Sequence, residues 1–349
     1  MAKKVILVIG IILFIVFLFF FFFSWTPRIK GENAIAEQVK LEVNGTTQHI
    51  LIRGIDINNP ILLFVHGGPG SSDMPLVRHF NAELEEHFVV VTWDQRGAGK
   101  SRSWFRNPNN MTVDQFVEDG IVVTQAVLER TGQEQLILVG HSWGTMLGTE
   151  MATRYPQYFS AYVGIGNIAH TAEGERLTYQ FVWEEANTRG DEKAIEALAA
   201  INEPPYLTIE GNEEWLDDML TERGYVNTYV PELFEHETPS YPWIYITTPE
   251  YSLLDTIQFL TGGIPTSREL FPQIMNSNYL ENPPVFEMPV FLAQGVYDFN
   301  TPTVLAEEFF DLIEAPSKEY HLFENSGHNP QFEESEVFNQ WLVDLLSNN

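Results

Sequence analysis

The serine at position 142 lies in the pattern of this chain that is most typical of covalent chemistry. With Gly140 and Gly144 it forms a Gly-x-Ser-x-Gly motif, which follows an apolar run at residues 135–139 and precedes a helical pattern at residues 146–152. Between a strand and a helix, this motif forms a turn so sharp that only small residues fit beside the serine, and its hydroxyl is exposed. The sequence therefore predicts that Ser142 is a nucleophile.

A serine nucleophile needs a base and a carboxylate that orients the base. Asp298 follows the strand pattern that begins at Val290, and His328 follows the last strand pattern. Each has a plainer interpretation, because Asp298 could form a turn before Thr301 and His328 could be an ordinary loop histidine. The order serine, aspartate, histidine is the one that accompanies this motif. We therefore expect Ser142, Asp298 and His328 to form a catalytic triad.

A tetrahedral intermediate also needs backbone N–H donors that point at its oxyanion. One expected donor is the amide of Trp143, directly after the nucleophile. The other is expected in the His-Gly-Gly-Pro-Gly sequence at residues 66–70, directly after a buried strand. Glycine lets the backbone approach a substrate closely, although a plain glycine-rich turn would have the same composition. Gly68 is the favoured donor and Gly67 the alternate.

The elements that must position these residues alternate between strands and helices from about residue 36. Asn44-Gly45 predicts a hairpin turn, and continuous apolar runs predict strands that are buried on both faces. The pattern predicts an α/β fold with a mostly parallel central sheet and helices on both faces. The predicted strands lie at residues 39–43, 49–52, 61–65, 88–93, 135–139, 162–165, 290–293 and 319–323, and the predicted core helices at 74–87, 111–131 and 330–346.

The alternation stops near residue 167 and resumes near residue 289. The intervening stretch is rich in helical patterns, which predicts a helical cap at residues 168–288, inserted into a core formed by residues 31–167 and 289–349. The predicted cap helices lie at residues 176–187, 192–201, 213–222, 251–260 and 267–275.

Residues 1–30 are predicted to be an N-terminal membrane anchor. Residues 5–23 are apolar without interruption, and as a helix they would span roughly 28 Å, close to the thickness of the bilayer hydrocarbon. Lys3 and Lys4 precede the run, and its short leading tail favours a single pass through the cell membrane with the catalytic domain outside the cytoplasm. The alternatives are a buried core helix and a signal peptide cleaved near residues 34–36.

Composition excludes several classes of protein and site. The 349 residues include 48 acidic and 19 basic ones, a net charge of −29, so nucleic acid is not an expected partner. The absence of cysteine excludes disulfides, a cysteine nucleophile and thiolate metal sites. No metal or organic cofactor is expected, because no ligand cluster is visible in the sequence.

The motifs at residues 66–70, 94–101 and 140–145, with Gly-x-x-Asp at Asp298 and Gly-His at His328, resemble those of the proline iminopeptidase (prolyl aminopeptidase) family of α/β-hydrolases. This resemblance implies an α/β-hydrolase fold and hydrolysis of a substrate's N-terminal residue. It also implies that acidic cap residues hold the free amine, and Glu184 is the matching residue. Glu184 could instead lie on a solvated helix face.

The expected function is that of a membrane-anchored serine hydrolase that acts through an acyl-enzyme, most similar to a proline iminopeptidase. Its expected partners are a small peptide or ester substrate and the membrane. An esterase or amidase on the same scaffold is the first alternative. A non-catalytic binding protein with a hydrolase fold is the second.

Overall fold

The computed structural model describes residues 2–103, 110–201, 203–206, 214–235 and 241–347. Eight strands of these residues form one sheet in the order β1-β2-β4-β3-β5-β6-β7-β8. β1 pairs with β2 and β2 with β4 in antiparallel fashion, and all the remaining neighbours are parallel. The strands are β1 (Ile35–Val43), β2 (Thr46–Gly54), β3 (Ile61–Val65), β4 (Val89–Asp94), β5 (Leu136–His141), β6 (Phe159–Ile165), β7 (Val290–Gly295) and β8 (Lys318–Phe323).

The antiparallel edge begins with the predicted hairpin. Asn44 and Gly45 both have positive φ, 44° and 79°, as a two-residue turn of this hand requires, and Val43 pairs directly with Thr46. In the parallel part, all residues of β3, β4, β5 and β7 are buried, which explains their continuous apolar sequences. The predicted α/β class is confirmed.

Helices cover both faces of this sheet. One face packs against α3, α4 and α10, and the other against α2, α11 and α12. α3 has the predicted ends, since the Thr112 side chain accepts a hydrogen bond from the Gln115 N–H and Gly132 adopts a left-handed conformation. These core helices are α2 (Met74–Phe80), α3 (Val113–Thr131), α4 (Trp143–Arg154), α10 (Thr303–Leu312), α11 (Pro330–Glu333) and α12 (Ser335–Ser347).

Two predicted core helices are shorter or broken. The helix expected at residues 74–87 ends at Phe80, because the Asn81 side chain turns away to donate hydrogen bonds to the Gln331 carbonyl and to Asn339. The helix expected at residues 330–346 breaks at Glu334, whose carboxylate accepts hydrogen bonds from the loop before it.

The segment between β6 and β7 contains α5 (Thr171–Arg189), α6 (Glu192–Ala200), α7 (Trp215–Tyr229), α8 (Tyr241–Thr247) and α9 (Leu253–Ile274). α5, α6 and α7 share a small core that includes Val182, Leu198 and Val226. The exact limits of a cap at residues 168 and 288 stay a prediction, and residue 213 of the expected 213–222 helix lies outside the described residues.

α9 corrects the prediction of two separate helices. It runs unbroken through Gly262, Gly263 and Pro265, residues that predict an interruption. Tertiary packing overrides this local signal, because Gly262, Thr266 and Leu270 lie buried on one face of the helix.

α1 (Ala2–Phe22) projects its side chains away from the rest of the protein. It is long and apolar enough to cross a membrane, and the span from Lys3 to Phe22 is 0% buried. Length and composition are shared by membrane anchors and signal sequences. Because no residue of the span is buried, the alternative of a buried core helix is excluded.

A buried carboxylate joins the hairpin to the sheet and to α3. Asp119 is fully buried and forms an ion pair with Arg96 at 2.8 Å. It also accepts hydrogen bonds from the side chains of Asn44, Gln48 and Gln115. Four chain segments therefore converge on one charge.

We expect Asp119→Ala to lower the free energy of unfolding by about 3–5 kcal/mol, because it removes the carboxylate that faces a buried guanidinium. Urea denaturation of the full-length protein in detergent, followed by tryptophan fluorescence, measures the loss. Asp114→Ala is the matched control on the same helix, because Asp114 is 81% exposed in its ion pair with Arg154 and such pairs contribute little. Equal losses in the two variants would contradict a central role for Asp119.

Candidate active site

Ser142 occupies the turn between β5 and α4 in a strained backbone conformation. Its φ is 53° and its ψ is −121°, which costs a residue other than glycine about 1–3 kcal/mol. A Cβ atom on Gly140 would lie 2.4 Å from the Gly144 carbonyl oxygen, and one on Gly144 would lie 2.0 Å from the Val65 carbonyl oxygen. The two glycines of the motif are therefore required by close packing of the turn against β3. Ser142 itself stays partly exposed.

His328 and Asp298 lie together after the last two strands. His328 Nδ1 is 2.9 Å from Asp298 Oδ2 and 3.1 Å from Oδ1. Asp298 is buried and also accepts hydrogen bonds from the Gln294 side chain, from the Thr301 hydroxyl and from the N–H groups of Asn300 and Thr301.

These contacts determine the charge of Asp298. Burial alone would raise the pKa of this carboxyl, but the charge and hydrogen bond of His328 and the hydrogen bonds of Thr301 hold it below its ordinary value. Asp298 is thus an ionised acceptor that orients the His328 ring and directs its Nε2 outward.

A second carboxylate holds the loop that carries His328. Glu333 Oε2 accepts hydrogen bonds from the Gly327 N–H at 2.8 Å and from the Asn329 N–H at 3.3 Å. Burial raises the pKa of Glu333, although these hydrogen bonds oppose the shift. The sequence analysis did not single out Glu333. The sequence feature that could have identified it is the pair of acidic residues, Glu333 and Glu334, that closely follows the Gly-His-Asn-Pro sequence at residues 327–330.

A second histidine–aspartate pair lies beside the first. His141 Nδ1 is 3.1 Å from Asp73 Oδ2, its Nε2 is 3.1 Å from the His328 carbonyl oxygen, and the two histidine rings are 5.1 Å apart. Burial alone would lower the pKa of His141, but the hydrogen bond and charge of Asp73 raise it above its ordinary value. Asp73 was also missed, since no local pattern links it to a histidine 68 residues away.

The loop that begins at His66 is fixed by contacts at both of its ends. Gln95 donates through its backbone N–H to His66 Nε2 and through its side chain to the His66 carbonyl, and it accepts a hydrogen bond from the indole of Trp143. Burial lowers the pKa of His66, so its neutral ring can accept. At the other end, the Ser72 hydroxyl donates a hydrogen bond to the buried carboxylate of Asp94.

Between these ends the backbone passes close to the nucleophile. A Cβ on Gly67 would lie 3.0 Å from the Ser142 Cβ, and Gly68 has a φ of 114°. Gly68 and Trp143 both line the cavity in front of Ser142. The structure thus brings the two predicted oxyanion donors to one site, and their role there stays a prediction.

The cavity in front of Ser142 has a volume of about 720 Å³. It lies between the carboxyl ends of the parallel strands and helices α5, α7, α8 and α9. Ser142 and His328 both line it, and no hydrogen bond joins their side chains among the described residues, which is common before a substrate binds. Its other lining residues include Asp73, Leu76, His141, Asn167, Glu175, Leu220, Arg223, Tyr245, Phe259, Leu260, Ile264, Phe271 and Asn329.

Four of the predicted site residues line this cavity, namely Gly68, Ser142, Trp143 and His328, while Asp298 is buried against His328 and Glu184 lies outside the cavity. It is exposed on α5, where it accepts a hydrogen bond from the Gln180 side chain at 2.8 Å. The buried face of α5 is formed by Thr171, Gly174, Glu175, Thr178, Val182 and Ala186. Glu184 points away from this face, in agreement with the alternative interpretation that it lies on a solvated helix face.

Glu175, on the same helix, lines the cavity instead. It is 3% exposed and forms an ion pair through Oε1 with Arg223, while its Oε2 is buried and has no hydrogen-bond partner among the described residues. Neighbouring Glu222 accepts a hydrogen bond from Tyr206, and burial raises the pKa of Glu222 to about 8. Two acidic side chains, one on α5 and one on α7, thus lie beside Arg223 at the cavity.

Among the residues that the structure describes, no group of three or more His, Cys, Asp or Glu side chains could hold a metal ion.

Comparison with known proteins places these features in a family. Residues 60–335 match the family described as the alpha/beta hydrolase fold. The chain is 30% identical to the "Probable aminopeptidase YbaC" of Bacillus subtilis (strain 168), over 89% of this chain and 96% of that protein. It is 25% identical to a "Proline iminopeptidase" of Clostridium botulinum, over 82% of this chain and 90% of that one.

Among solved structures, a proline iminopeptidase-related protein from Thermus thermophilus superposes with a TM-score of 0.61. The alignment covers 90% of this chain and 98% of the other at 20% identity, so it supports the fold alone.

The contact between His141 and Asp73 predicts a pH-dependent stability. Because the folded-state pKa of His141 lies above its ordinary value of 6.5, the folded state binds the extra proton. The stabilisation is complete below that ordinary value and is lost as pH rises through the folded-state pKa. Asp73→Asn should lower the His141 pKa, which NMR titration of the ring would measure. It should also reduce the loss of unfolding free energy with rising pH, which urea denaturation between about pH 6 and pH 8 would measure. An unchanged pKa in the variant would refute this cause.

Proposed function

This chain belongs to the α/β-hydrolase fold family, in its proline iminopeptidase-like group, and from this premise we propose that it is a serine aminopeptidase. The observation that carries the proposal is the hydrogen bond between His328 and buried Asp298, together with the presence of His328 and Ser142 in the wall of one cavity.

In the proposed reaction, Ser142 Oγ attacks the scissile carbonyl carbon while His328 Nε2 takes its proton. Asp298 holds the ring and stabilises the imidazolium, and the backbone N–H groups of Gly68 and Trp143 stabilise the oxyanion. The bond from carbon to the leaving nitrogen then breaks as His328 returns the proton to that nitrogen. Water repeats these steps on the acyl-enzyme and releases the acid.

Preference for a chain terminus would come from the cap. Helices α5, α7, α8 and α9 line the cavity, so a peptide would enter it by one end. A free α-amine is a cation with hydrogen-bond donors, and Glu175 Oε2 is a buried carboxylate oxygen that lacks a donor. We assign the amine-binding role to Glu175 rather than to Glu184.

An esterase is the second candidate, and the apolar wall of the cavity favours it. Part of the cavity wall consists of apolar side chains, which offer no hydrogen bond to a peptide backbone. These side chains are Leu76, Leu220, Phe259, Leu260 and Phe271. An ester needs the same nucleophile and oxyanion donors but no carboxylate for an amine. Substrate comparisons therefore separate the two activities.

The proposed location is the membrane, with α1 as a single-pass anchor and the catalytic domain outside the cytoplasm. The exposed apolar surface of α1 supports the anchor, while basic residues flank the apolar run on both sides, with Lys3 and Lys4 before it and Arg28 and Lys30 after it.

Ser142→Ala should abolish both turnover and covalent labelling by a fluorophosphonate probe, because no other residue of the proposed mechanism supplies a nucleophile. Full-length wild type and variant are compared in detergent, with circular dichroism as the control for folding. Ser72→Ala is the matched variant, because Ser72 lies at the end of the loop that begins at His66 and its hydroxyl donates to Asp94. The Ser72→Ala protein should still be labelled by the probe. Labelling of the Ser142→Ala variant would refute the assignment of the nucleophile.

Glu175→Gln should reduce kcat/KM for a prolyl anilide with a free amine by about 10–100-fold, the effect of a hydrogen bond to a charged group worth about 1.5–3 kcal/mol. An uncharged acetyl ester should lose less than about threefold, since its acylation needs no amine partner. Glu184→Gln, on the exposed face of the same helix, is the control and should leave both substrates unchanged. Equal losses on both substrates for Glu175→Gln would assign Glu175 a structural role only.

A further inference from the structure

The end of α1 is fixed to the catalytic domain rather than joined to it by a flexible linker. Lys100 Nζ donates hydrogen bonds to Ser24 Oγ at 2.6 Å and to the Glu250 carbonyl at 2.8 Å. The Trp25 N–H donates to the Pro249 carbonyl at 2.9 Å, and the Thr26 hydroxyl donates to the Glu250 carboxylate at 2.9 Å. Residues 24–26 follow α1 almost directly, so these bonds hold the end of the helix against the connection between α8 and α9.

α1 also contacts α9 itself. Leu18 and Phe21 are partly covered, whereas almost all of the other described side chains of α1 are exposed. Since the end of α1 is tied at Trp25, the contact with α9 lies along the last turns of the apolar helix. α9 is therefore held at the depth where α1 leaves the hydrocarbon of a bilayer.

The outer face of α8 and α9 is apolar. Ile257, Leu260 and Ile264 form a stripe along α9, and Trp243 and Ile246 continue it on α8, with exposed fractions between 40% and 64%. We call these five residues the apolar stripe. No charged residue occurs between positions 256 and 267 of α9 or within α8, in a chain with a net charge of −29. The Arg102 side chain donates hydrogen bonds to the Gln258 carbonyl and to the Thr261 hydroxyl, so the charge that lies against α9 here is a cation. An apolar face on so acidic a protein marks a surface that meets something apolar.

The stripe borders the entrance of the cavity that contains Ser142. Leu260 and Ile264 are exposed on the outside and also line the cavity, as does exposed Leu220 on α7. Phe259 and Pro242 continue the lining beside them. The cavity thus reaches the surface at the stripe.

From this arrangement we propose that the apolar stripe lies on the bilayer that holds α1, and that the enzyme takes its substrate from that bilayer. The substrate is an amphiphile with a long alkyl chain, whose chain enters between the cap helices while its carbonyl reaches Ser142. This inference rests on the proposed anchor and on the second candidate function, the esterase, because an ester with an alkyl chain offers no amine to Glu175. Trp243 on the stripe and Trp25 at the end of α1 are the aromatic residues that favour the interface of a membrane.

The contact with the bilayer is tested first, without any substrate. The chain has no cysteine, so Ile257→Cys in the full-length protein can be labelled at one position with an environment-sensitive fluorophore. In vesicles of phosphatidylcholine, the label should shift its emission to shorter wavelength and be quenched by nitroxide lipids. Val285→Cys is the control, because Val285 is also exposed but precedes β7 on the core. Emission and quenching equal to those of the control would overturn the contact.

The origin of the substrate is tested with two esters that share one leaving group. Full-length enzyme in vesicles should hydrolyse a hexadecanoyl ester dissolved in the bilayer and an acetyl ester in water. The double variant Trp243→Glu, Ile257→Glu should lose at least about tenfold on the first and less than about twofold on the second, because charge on the stripe opposes insertion into the bilayer. Val285→Glu should leave both rates unchanged.

The outcomes separate the two proposals. Hydrolysis of the acetyl ester alone by wild type would overturn the inference and leave the hydrolase intact, whereas no hydrolysis of either ester together with no labelling of Ser142 would overturn the proposed function. A third outcome combines two results: the double variant loses activity equally on both esters, and the wild type is a dimer whereas the double variant is a monomer. This outcome would assign the stripe to a contact with a second copy of this chain and overturn the role of the bilayer.

Discussion

The close approach of α4 to β3 is the constraint on which the site depends. Gly144 lies so near the Val65 carbonyl that no side chain fits between them, and Gly140 lies as near to Gly144. The turn between β5 and α4 can be this tight only if Ser142 accepts a positive φ. The strain is offset by the burial of β3, β5 and the inner face of α4, which lose more stability if they separate than the turn costs. Ser142 is thereby held at the sheet edge where the loops of Asp298 and His328 also end.

Local patterns predicted the parts of the fold that depend on local physics. The buried strands, the Asn44-Gly45 turn and the ends of α3 follow from apolar runs, backbone preferences and capping groups, and the structure has them. The place of Asp298 and His328 after successive strands was also visible, because parallel strands end at one edge. By contrast, α9 was divided in the prediction, since Gly262, Gly263 and Pro265 interrupt a helix in isolation. Its continuous course depends on tertiary packing, such as that of Gly262 against Arg102.

Helix phase and long-range pairing explain the remaining differences. Glu184 was predicted because Trp183-Glu184 resembles a sequence in the cap of the family. Glu175 lies nine positions earlier on the same helix, and of the two only Glu175 lies on the buried face of α5 that meets the cavity. Asp73 meets His141 across 68 residues, through a contact that no single segment encodes. Glu333 holds the backbone on both sides of His328 from within the same segment, so only its role, and not its position, was hidden. Buried charges rarely add net stability, so their value here is the fixed geometry that they impose.

Hydrogen bonds also connect the end of α1 to the loop beside the nucleophile. The Lys100 backbone N–H donates to Asp94, which also accepts hydrogen bonds from Ser72 and from the Tyr251 hydroxyl, while the Lys100 ammonium donates to Ser24 at the end of α1. One residue therefore joins the end of α1 to the loop that faces Ser142. A flexible linker would let the domain turn freely relative to α1. Bonds this close to the end of α1 leave little such freedom, so the direction of the cavity relative to α1 is set by the fold itself.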